Sequence, residues 1–207
     1  MPQAPLPVVV NRSGGTAAAL GAKLEATLRQ SFGRTIDLQL VDGPDVPRAL
    51  GRVAGAGRVV VGGGDGTLGS AAGLLAQAGS AMAILPLGTR NHLAGQLGIP
   101  SDLAQAARLA VEGTTTRIDL GRVGERVFVN NASLGLYARL VRNREALAAP
   151  KWLANLPAAW HVLRHLRVRR MELRVDGAAR QVVTPLLFVG NNRYALSVTS
   201  AMLSTPE

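Results

Sequence analysis

The stretch Gly62-Gly63-Gly64-Asp65-Gly66-Thr67 directly follows the apolar run Val59-Val60-Val61. A short apolar run that ends in glycines is typical of a buried strand in a parallel sheet. Glycines there let backbone N–H groups approach an anion, and the helix that follows adds its positive end. The stretch therefore predicts an α/β fold with a phosphate-binding loop, and Thr67 is expected to cap a helix from Leu68 to Ala78.

Two further loops have the same setting. Asn11-Arg12-Ser13-Gly14-Gly15 follows the predicted strand 8–10, and Pro86-Leu87-Gly88-Thr89-Arg90-Asn91 follows the predicted strand 82–85. Ligands of open α/β sheets bind at the carboxyl ends of parallel strands, so we expect the three loops to converge on one nucleotide site.

The rest of the first half alternates between hydrophobic patterns typical of helices and patterns typical of strands. A helix is expected over 16–30, a strand over 36–41, a helix from Val46, and a helix capped by Ser101 that runs to about Glu112 before Gly113. From Arg117 strand patterns dominate, with hairpins over 118–129, turning at Gly124-Glu125, and over 171–189, turning at Asp176-Gly177. These patterns predict an α/β domain over 1–116 and a β-rich domain over 117–207.

Composition excludes several classes of protein and of functional site. The chain has 207 residues, 47% of them hydrophobic, which is enough for one large or two small domains. The absence of cysteine excludes disulfides, thiolate metal sites and cysteine nucleophiles. No secretion signal or long apolar run is present, so a cytoplasmic protein is expected.

The formal net charge of +10 is concentrated in one segment. Residues 139–174 contain nine Arg or Lys against Glu145 and Glu172. Such a segment favours an anionic partner, although a solvated helix face is an equally plain interpretation.

Asp65 is unexpected among amides that would bind phosphate, because a carboxylate repels a bare anion. It is explained if it meets Mg²⁺ or accepts a proton, and the alternative is a simple Asp-Gly turn. Gly64, Gly66 and Gly69 fit the dinucleotide fingerprint, but the acid expected about 20 residues later is missing. The Gly-Lys-Ser/Thr signature of a P-loop is missing too.

Taken together, the three loops resemble the diacylglycerol kinase catalytic-domain family, which includes bacterial lipid kinases and sphingosine and ceramide kinases. The resemblance continues through 117–121, 129–135 and 188–192. It implies a Rossmann-like, phosphofructokinase-like nucleotide-binding domain with a parallel sheet, joined to a β-rich sandwich domain that binds lipid.

The same resemblance implies an ATP-dependent kinase that moves the γ-phosphoryl group to a hydroxyl of diacylglycerol or a related sphingoid lipid, with Mg²⁺ as cofactor. Asp65, Asp119 and His92 would be catalytic, although Asp119 also fits a structural acid at a strand end and His92 a local polar role. The metal ligands stay unassigned. The residues that would hold ATP are Asn11, Ser13, Gly14, Gly63, Gly64, Gly66, Thr67, Gly88, Thr89 and Asn91.

The chain departs from the family pattern in three places. His92 stands where many members carry an acid, and Gly69-Ser70 stands where many carry Asn-Glu. Family members also continue well beyond the position of Glu207, so the β-rich domain is expected to be incomplete. Uncovered sheet edges would then favour instability or a homodimer. The alternative function is a catalytically impaired remnant that binds nucleotide or lipid.

A lipid substrate would bring the protein to a bilayer. The segment 139–174 combines Trp152 and Trp160 with leucines and arginines, which suits peripheral contact with an anionic membrane at its inner face. The alternative is that these apolar residues pack in the core. Nucleic acid is not an expected partner, because the basic segment carries no recognised nucleic-acid motif.

Overall fold

The computed structural model describes residues 4–33, 35–135 and 168–191. The chain forms two compact units, Met1–Asn130 and Asn131–Glu207. Residues 139–167 of the segment expected to contact a membrane, which include Trp152 and Trp160, lie outside the described residues.

The first unit is built on a four-stranded sheet whose paired strands are all parallel, in the order β2-β1-β3-β4. Its strands are β1 (Leu6–Asn11), β2 (Ile36–Val41), β3 (Arg58–Gly63) and β4 (Ala81–Pro86). In register, Val9 pairs with Gln39 on one side and Val61 on the other. The central valines of β1 and β3 are fully buried, which explains their uninterrupted apolar runs. The predicted α/β class and parallel sheet are confirmed.

The described residues of this unit also form the α-helices α1 (Gly15–Leu20), α2 (Leu24–Phe32), α3 (Val46–Val53), α4 (Asp65–Gln77), α5 (His92–Gln96) and α6 (Leu103–Glu112). Successive side chains of β1 belong alternately to two hydrophobic clusters. Val8 and Val10 belong to a cluster that includes residues of α2 and α6, whereas Val9 belongs to a cluster with residues of α3 and α4. The sheet is therefore covered by helices on both faces.

Helix boundaries differ from the predictions at three places. The single helix expected over 16–30 is interrupted by a 3₁₀ turn at Gly21–Lys23, because Gly21 has a φ of +50° and ends α1. Helix α4 begins at Asp65 with Gly64 as its N-cap, so Thr67 lies inside the first turn and does not cap it. Asp102, not Ser101, caps α6 by accepting a hydrogen bond from the Gln105 backbone N–H at 2.9 Å.

The hairpin of β5 (Gly121–Val123) and β6 (Arg126–Phe128) belongs to the first unit. A Cβ on Gly73 of α4 would lie 3.2 Å from Val127, and Val129 is buried in the core that contains α4. These contacts explain why the first unit extends to Asn130, past the division expected after residue 116.

The described part of the second unit consists of two antiparallel strand pairs. Strand β7 (Asn131–Gly135) pairs with β10 (Leu186–Gly190), and β8 (Arg169–Val175) pairs with β9 (Ala178–Thr184). Asp176 and Gly177 have φ values of +50° and +80°, as a two-residue hairpin turn requires. The turn lies where it was predicted, but its second strand ends at Thr184 and β10 pairs elsewhere. Within the described residues, no helix combines the length and apolar character needed to cross a bilayer.

Candidate functional site

The three glycine-containing loops lie against one another at the carboxyl edge of the sheet. The backbone N–H of Leu87 donates to the carbonyl of Gly63 at 3.3 Å, and the N–H of Thr16 donates to the carbonyl of Leu87 at 2.9 Å. Gly88 is so close to Gly64 that a Cβ on Gly88 would collide with the Gly64 Cα atom. The loop after β4 thus joins the loops after β1 and β3.

The glycines of these loops fall into two groups. A Cβ on Gly62 would lie 2.8 Å from Val10, and one on Gly63 would lie 2.7 Å from Thr67, so packing inside the protein requires both glycines. Gly14 and Gly66 differ, because no atom of the described residues lies within 4 Å of the Cβ position of either. Open space at these two glycines is what close approach by a ligand needs.

Asn11 connects the first loop to the glycine loop. Its Nδ2 donates to the Thr67 Oγ1 at 3.0 Å, and its Oδ1 accepts from the Ser13 backbone N–H at 3.0 Å. Because the Thr67 oxygen is the acceptor in this bond, its hydroxyl proton stays available for donation. Three of the predicted nucleotide-binding residues are thus joined directly.

Asp42 is a residue of this edge that the sequence reasoning missed. Its Oδ1 accepts from Arg12 Nε at 3.1 Å and from the Ser13 Oγ at 2.7 Å, while its Oδ2 accepts from the Arg12 guanidinium at 2.9 Å. The hydrogen bonds from Arg12 and then Ser13 lower the pKa of Asp42 to about 2. The signal available in the sequence was position, since Asp42 directly follows β2, whose end lies beside that of β1.

Asp65 is the first residue of α4, and its carboxylate points to the start of another helix. Its Oδ2 accepts from the backbone N–H of His92 at 3.1 Å, and its Oδ1 accepts from the N–H of Leu93 at 3.0 Å. Asn130 Nδ2 donates to the same Oδ1 at 3.4 Å. A carboxylate has about four lone-pair sites. Within the described part of the chain, the position left over is on Oδ2.

Asn91 holds the loop after β4 in shape. It adopts a φ of +49°, its Oδ1 accepts from the Gly88 N–H at 2.8 Å, and its Nδ2 donates to the carbonyls of Pro86 and Gly88 at 3.2 and 2.9 Å. Both amide hydrogens are used within the loop, so Asn91 has one acceptor position left for a ligand. Its predicted part in ATP binding stays a prediction.

The other predicted catalytic residues are less tightly placed. His92 is exposed, and its hydrogen bond to Asp65 is donated by the main-chain N–H and not by the imidazole. Asp119 is exposed and lies two residues before β5, and Thr89 is exposed in the loop after β4. The catalytic roles of His92 and Asp119 and the contact of Thr89 with ATP stay predictions.

A magnesium ion also fits the arrangement at Asp65. No group of three Asp, Glu or His side chains that could enclose a metal occurs among the residues that the structure describes. Mg²⁺ does not need such a cage, because it keeps several waters and binds through one or two carboxylates together with substrate phosphates. The Oδ2 atom of Asp65, which keeps one acceptor position, is an oxygen of this kind.

Fold and site define an α/β protein with three joined loops at the carboxyl edge of a parallel sheet, where the carboxylates of Asp42 and Asp65 accept hydrogen bonds. Residues 5–123 match the family described as the diacylglycerol kinase catalytic domain. The chain belongs to this family, which confirms the resemblance stated from the three loops.

Curated relatives carry names that agree. The chain is 42% identical over 97 residues to the "Probable lipid kinase YegS-like" of Chromohalobacter salexigens, covering 45% of this chain and 31% of the relative. It is 38% identical over 144 residues to the protein of the same name in Klebsiella pneumoniae, covering 66% of this chain and 48% of the relative. The chain therefore spans at most about half the length of these relatives.

A solved structure agrees with the fold. The crystal structure of a diacylglycerol kinase from Bacillus anthracis aligns with a TM-score of 0.67 and 22% sequence identity, over 92% of this chain and 65% of that one. At this identity the likeness shows the fold alone, and it extends the fold match beyond the residues that match the family sequence.

Proposed function

We propose that the chain binds ATP at the three loops and transfers its γ-phosphoryl group to a hydroxyl of a lipid, diacylglycerol or a related sphingoid lipid. Membership of a lipid kinase family supports the class of reaction. The observation that carries the proposal is the joining of the three loops at one sheet edge, together with the acceptor position that remains on Asp65 Oδ2.

The phosphates lie against the start of α4 in this proposal. The first turn of a helix leaves N–H groups without acceptors inside the helix, and here these belong to residues that include Gly66 and Thr67. Helix α4 has 13 residues, so its dipole adds to the attraction for an anion. The hydroxyl of Thr67, held by Asn11, supplies a further donor.

Phosphoryl transfer requires positioning and compensation of charge more than covalent help from the protein. The lipid oxygen forms a bond to the γ-phosphorus, the bond from that phosphorus to the β–γ bridging oxygen breaks, and ADP leaves. The hydroxyl proton passes to Asp65 Oδ2, directly or through a water. Mg²⁺, when bound, neutralises charge on the phosphates.

Two predicted groups have secondary places in this proposal. The imidazole of His92, at the start of α5, would bind phosphate when it is charged or relay a proton. Asp119 would be a second acid that helps to organise the groups around Mg²⁺.

Membrane contact is part of the proposal because the acceptor is a lipid. Residues 139–174 would meet anionic headgroups at the inner face of the membrane, with the protein in the cytoplasm. Of this segment the structure describes 168–174, where Arg169 and Arg170 are exposed and Arg174 pairs with Glu172 at 2.6 Å. The described end of the segment thus offers two exposed guanidinium groups.

The proposal is tested by product analysis. The full chain is incubated with MgATP and mixed micelles that contain diacylglycerol, sphingosine or ceramide, and products are identified by mass spectrometry. We expect a phosphorylated lipid that forms at least about a hundredfold more slowly with Asp65→Asn. ATP binding by calorimetry without any phosphorylated lipid would instead support the impaired, nucleotide-binding alternative.

A further inference from the structure

Asn130 carries an unusual amide. It follows the buried Val129, and its Nδ2 donates to Asp65 Oδ1 at 3.4 Å. Its own Oδ1 is buried and has no hydrogen-bond partner among the described residues. A buried acceptor without a partner is destabilising, and such atoms are few in native proteins.

The orientation of this amide is fixed by Asp65. If the amide were turned over, Asn130 Oδ1 would face the Asp65 Oδ1 atom, and two acceptors would oppose each other. The carboxylate therefore holds Nδ2 toward itself and leaves the amide oxygen unpaired. Asp65 thereby gains a hydrogen bond, and Asn130 keeps a buried oxygen without a partner among the described residues.

The consequence for Asp65 is a difference between its two oxygens. Oδ1 accepts from both Leu93 and Asn130, whereas Oδ2 accepts from His92 alone. A carboxylate held by three N–H groups on two sides cannot rotate without losing them. The oxygen with a remaining lone pair is thereby fixed on one side of the group.

We propose that Asn130 is a positioning residue for the phosphoryl transfer proposed above, an inference that rests on that function. It occupies the second acceptor position of Asp65 Oδ1, so that Oδ2 is the oxygen presented to the lipid hydroxyl or to a metal-bound water. The unpaired amide oxygen is the structural expense of this placement, as is common at functional sites.

The proposal separates stability from turnover in one variant. Asn130→Leu keeps the approximate volume and removes both the donor and the unpaired oxygen. We expect a melting temperature equal to or above that of the wild type, a kcat lower by about ten- to a hundred-fold, and a KM for MgATP within about threefold. Asn130→Asp, which sets a second carboxylate against Asp65, should lower kcat further.

A double mutant shows whether Asn130 acts through Asp65. In the Asp65→Asn background, Asn130→Leu should cause no further loss of rate, because the group that it positions is already gone. Additive losses would overturn the proposal. An unchanged kcat in Asn130→Leu, or a loss that follows a lower melting temperature, would overturn it equally.

NMR spectroscopy can test the contact between Asn130 and Asp65 even if the wild type shows no turnover. The ¹³C signal of the Asp65 side-chain carboxyl should be single in the wild type and shifted or doubled in Asn130→Leu. An unchanged signal contradicts the contact itself. A signal that changes in Asn130→Leu, although the wild type phosphorylates no lipid, supports the positioning contact and contradicts the proposed function, so the two failures are distinguishable.

Discussion

The carboxylate of Asp65 accepts a hydrogen bond from the backbone N–H of His92 at 3.1 Å and so connects the glycine loop to the first turn of α5. The same carboxylate accepts a hydrogen bond from the backbone N–H of Leu93, so Asp65 caps the first turn of α5. The N-cap residue of α5, Asn91, does not do so, because its side chain is hydrogen-bonded to Gly88 in the preceding loop. The acid that the sequence singled out for chemistry is therefore also a helix cap supplied from another loop.

Substitution of Asp65 should affect both roles. Asp65→Asn should reduce kcat by about 10²–10⁴-fold through loss of the proton acceptor and reduce the free energy of unfolding by about 0.5–2 kcal/mol through a weaker cap. Rates of lipid phosphorylation and chemical denaturation measure the two effects. Asp102→Ala, which removes the cap of α6 far along the chain, is the control and should reduce stability alone. Equal rate losses in both variants would contradict a chemical role for Asp65.

Gly66 provides a test of phosphate placement. Gly66→Ala adds a methyl group to the open space of the site, so we expect an affinity for MgATP at least about tenfold lower, or about 1.4 kcal/mol. Stability should be unchanged or higher by about 0.5–1 kcal/mol, because alanine suits a helix better than glycine. Calorimetry and thermal melting measure both.

The control for Gly66→Ala is Gly51→Ala in α3. No described atom lies within 4 Å of the Cβ position of Gly51 either, but this glycine is in a helix away from the three loops. It should gain similar stability and leave MgATP affinity unchanged. Full affinity in Gly66→Ala would place the phosphates elsewhere.

Gly88 tests the contact between the loops. Gly88→Ala should destabilise the protein by about 1–3 kcal/mol or more, because the new methyl group collides with the backbone of Gly64. Denaturant unfolding measures the change. Gly95→Ala in α5, where no described atom is near the Cβ position, is the matched control and should be tolerated. Equal stability of the two variants would refute the close approach of the loops.

Asp42 predicts a pH dependence. Its folded-state pKa of about 2 lies below the unfolded value of about 3.9, so its ionised form stabilises the fold above that pH and the contribution is lost as the pH falls toward about 2. The Asp42 carboxyl carbon should titrate with a midpoint near 2 by NMR, and Arg12→Gln should raise that midpoint. Asp42→Asn should be less stable than the wild type at pH 7, with the difference shrinking between pH 4 and 2. A wild-type midpoint of about 4 would contradict the ion pair.

Much of the fold could be predicted because strands and turns are signalled by residues close together in the sequence. The apolar runs that end at Asn11 and Gly62 mark buried parallel strands, and Asp176-Gly177 marks a two-residue turn, since these patterns depend on the chain within a few residues. The break of the first helix at Gly21 was not predicted, because glycine is tolerated inside helices and its φ depends on context.

The site was predicted in part for the same reason. The three loops could be assigned to one sheet edge because each follows a strand of a parallel sheet, but the contacts of Asp42 with Arg12 and of Asn130 with Asp65 join residues far apart in sequence. Such pairings depend on the packed structure and leave no periodic signal. The hairpin 121–128 was likewise assigned to the second domain, because its packing on α4 is invisible in its own sequence.

The most direct test of the account is the fate of labelled phosphate. The full chain is incubated with Mg²⁺, mixed micelles of diacylglycerol or sphingosine, and ATP labelled with ³²P at either the γ or the α position. We predict label in the lipid fraction from γ-labelled ATP only, and at least about a hundredfold slower labelling with Asp65→Asn. Wild-type chain that leaves both labels in the nucleotide fraction, or that transfers label from the α position, would contradict it.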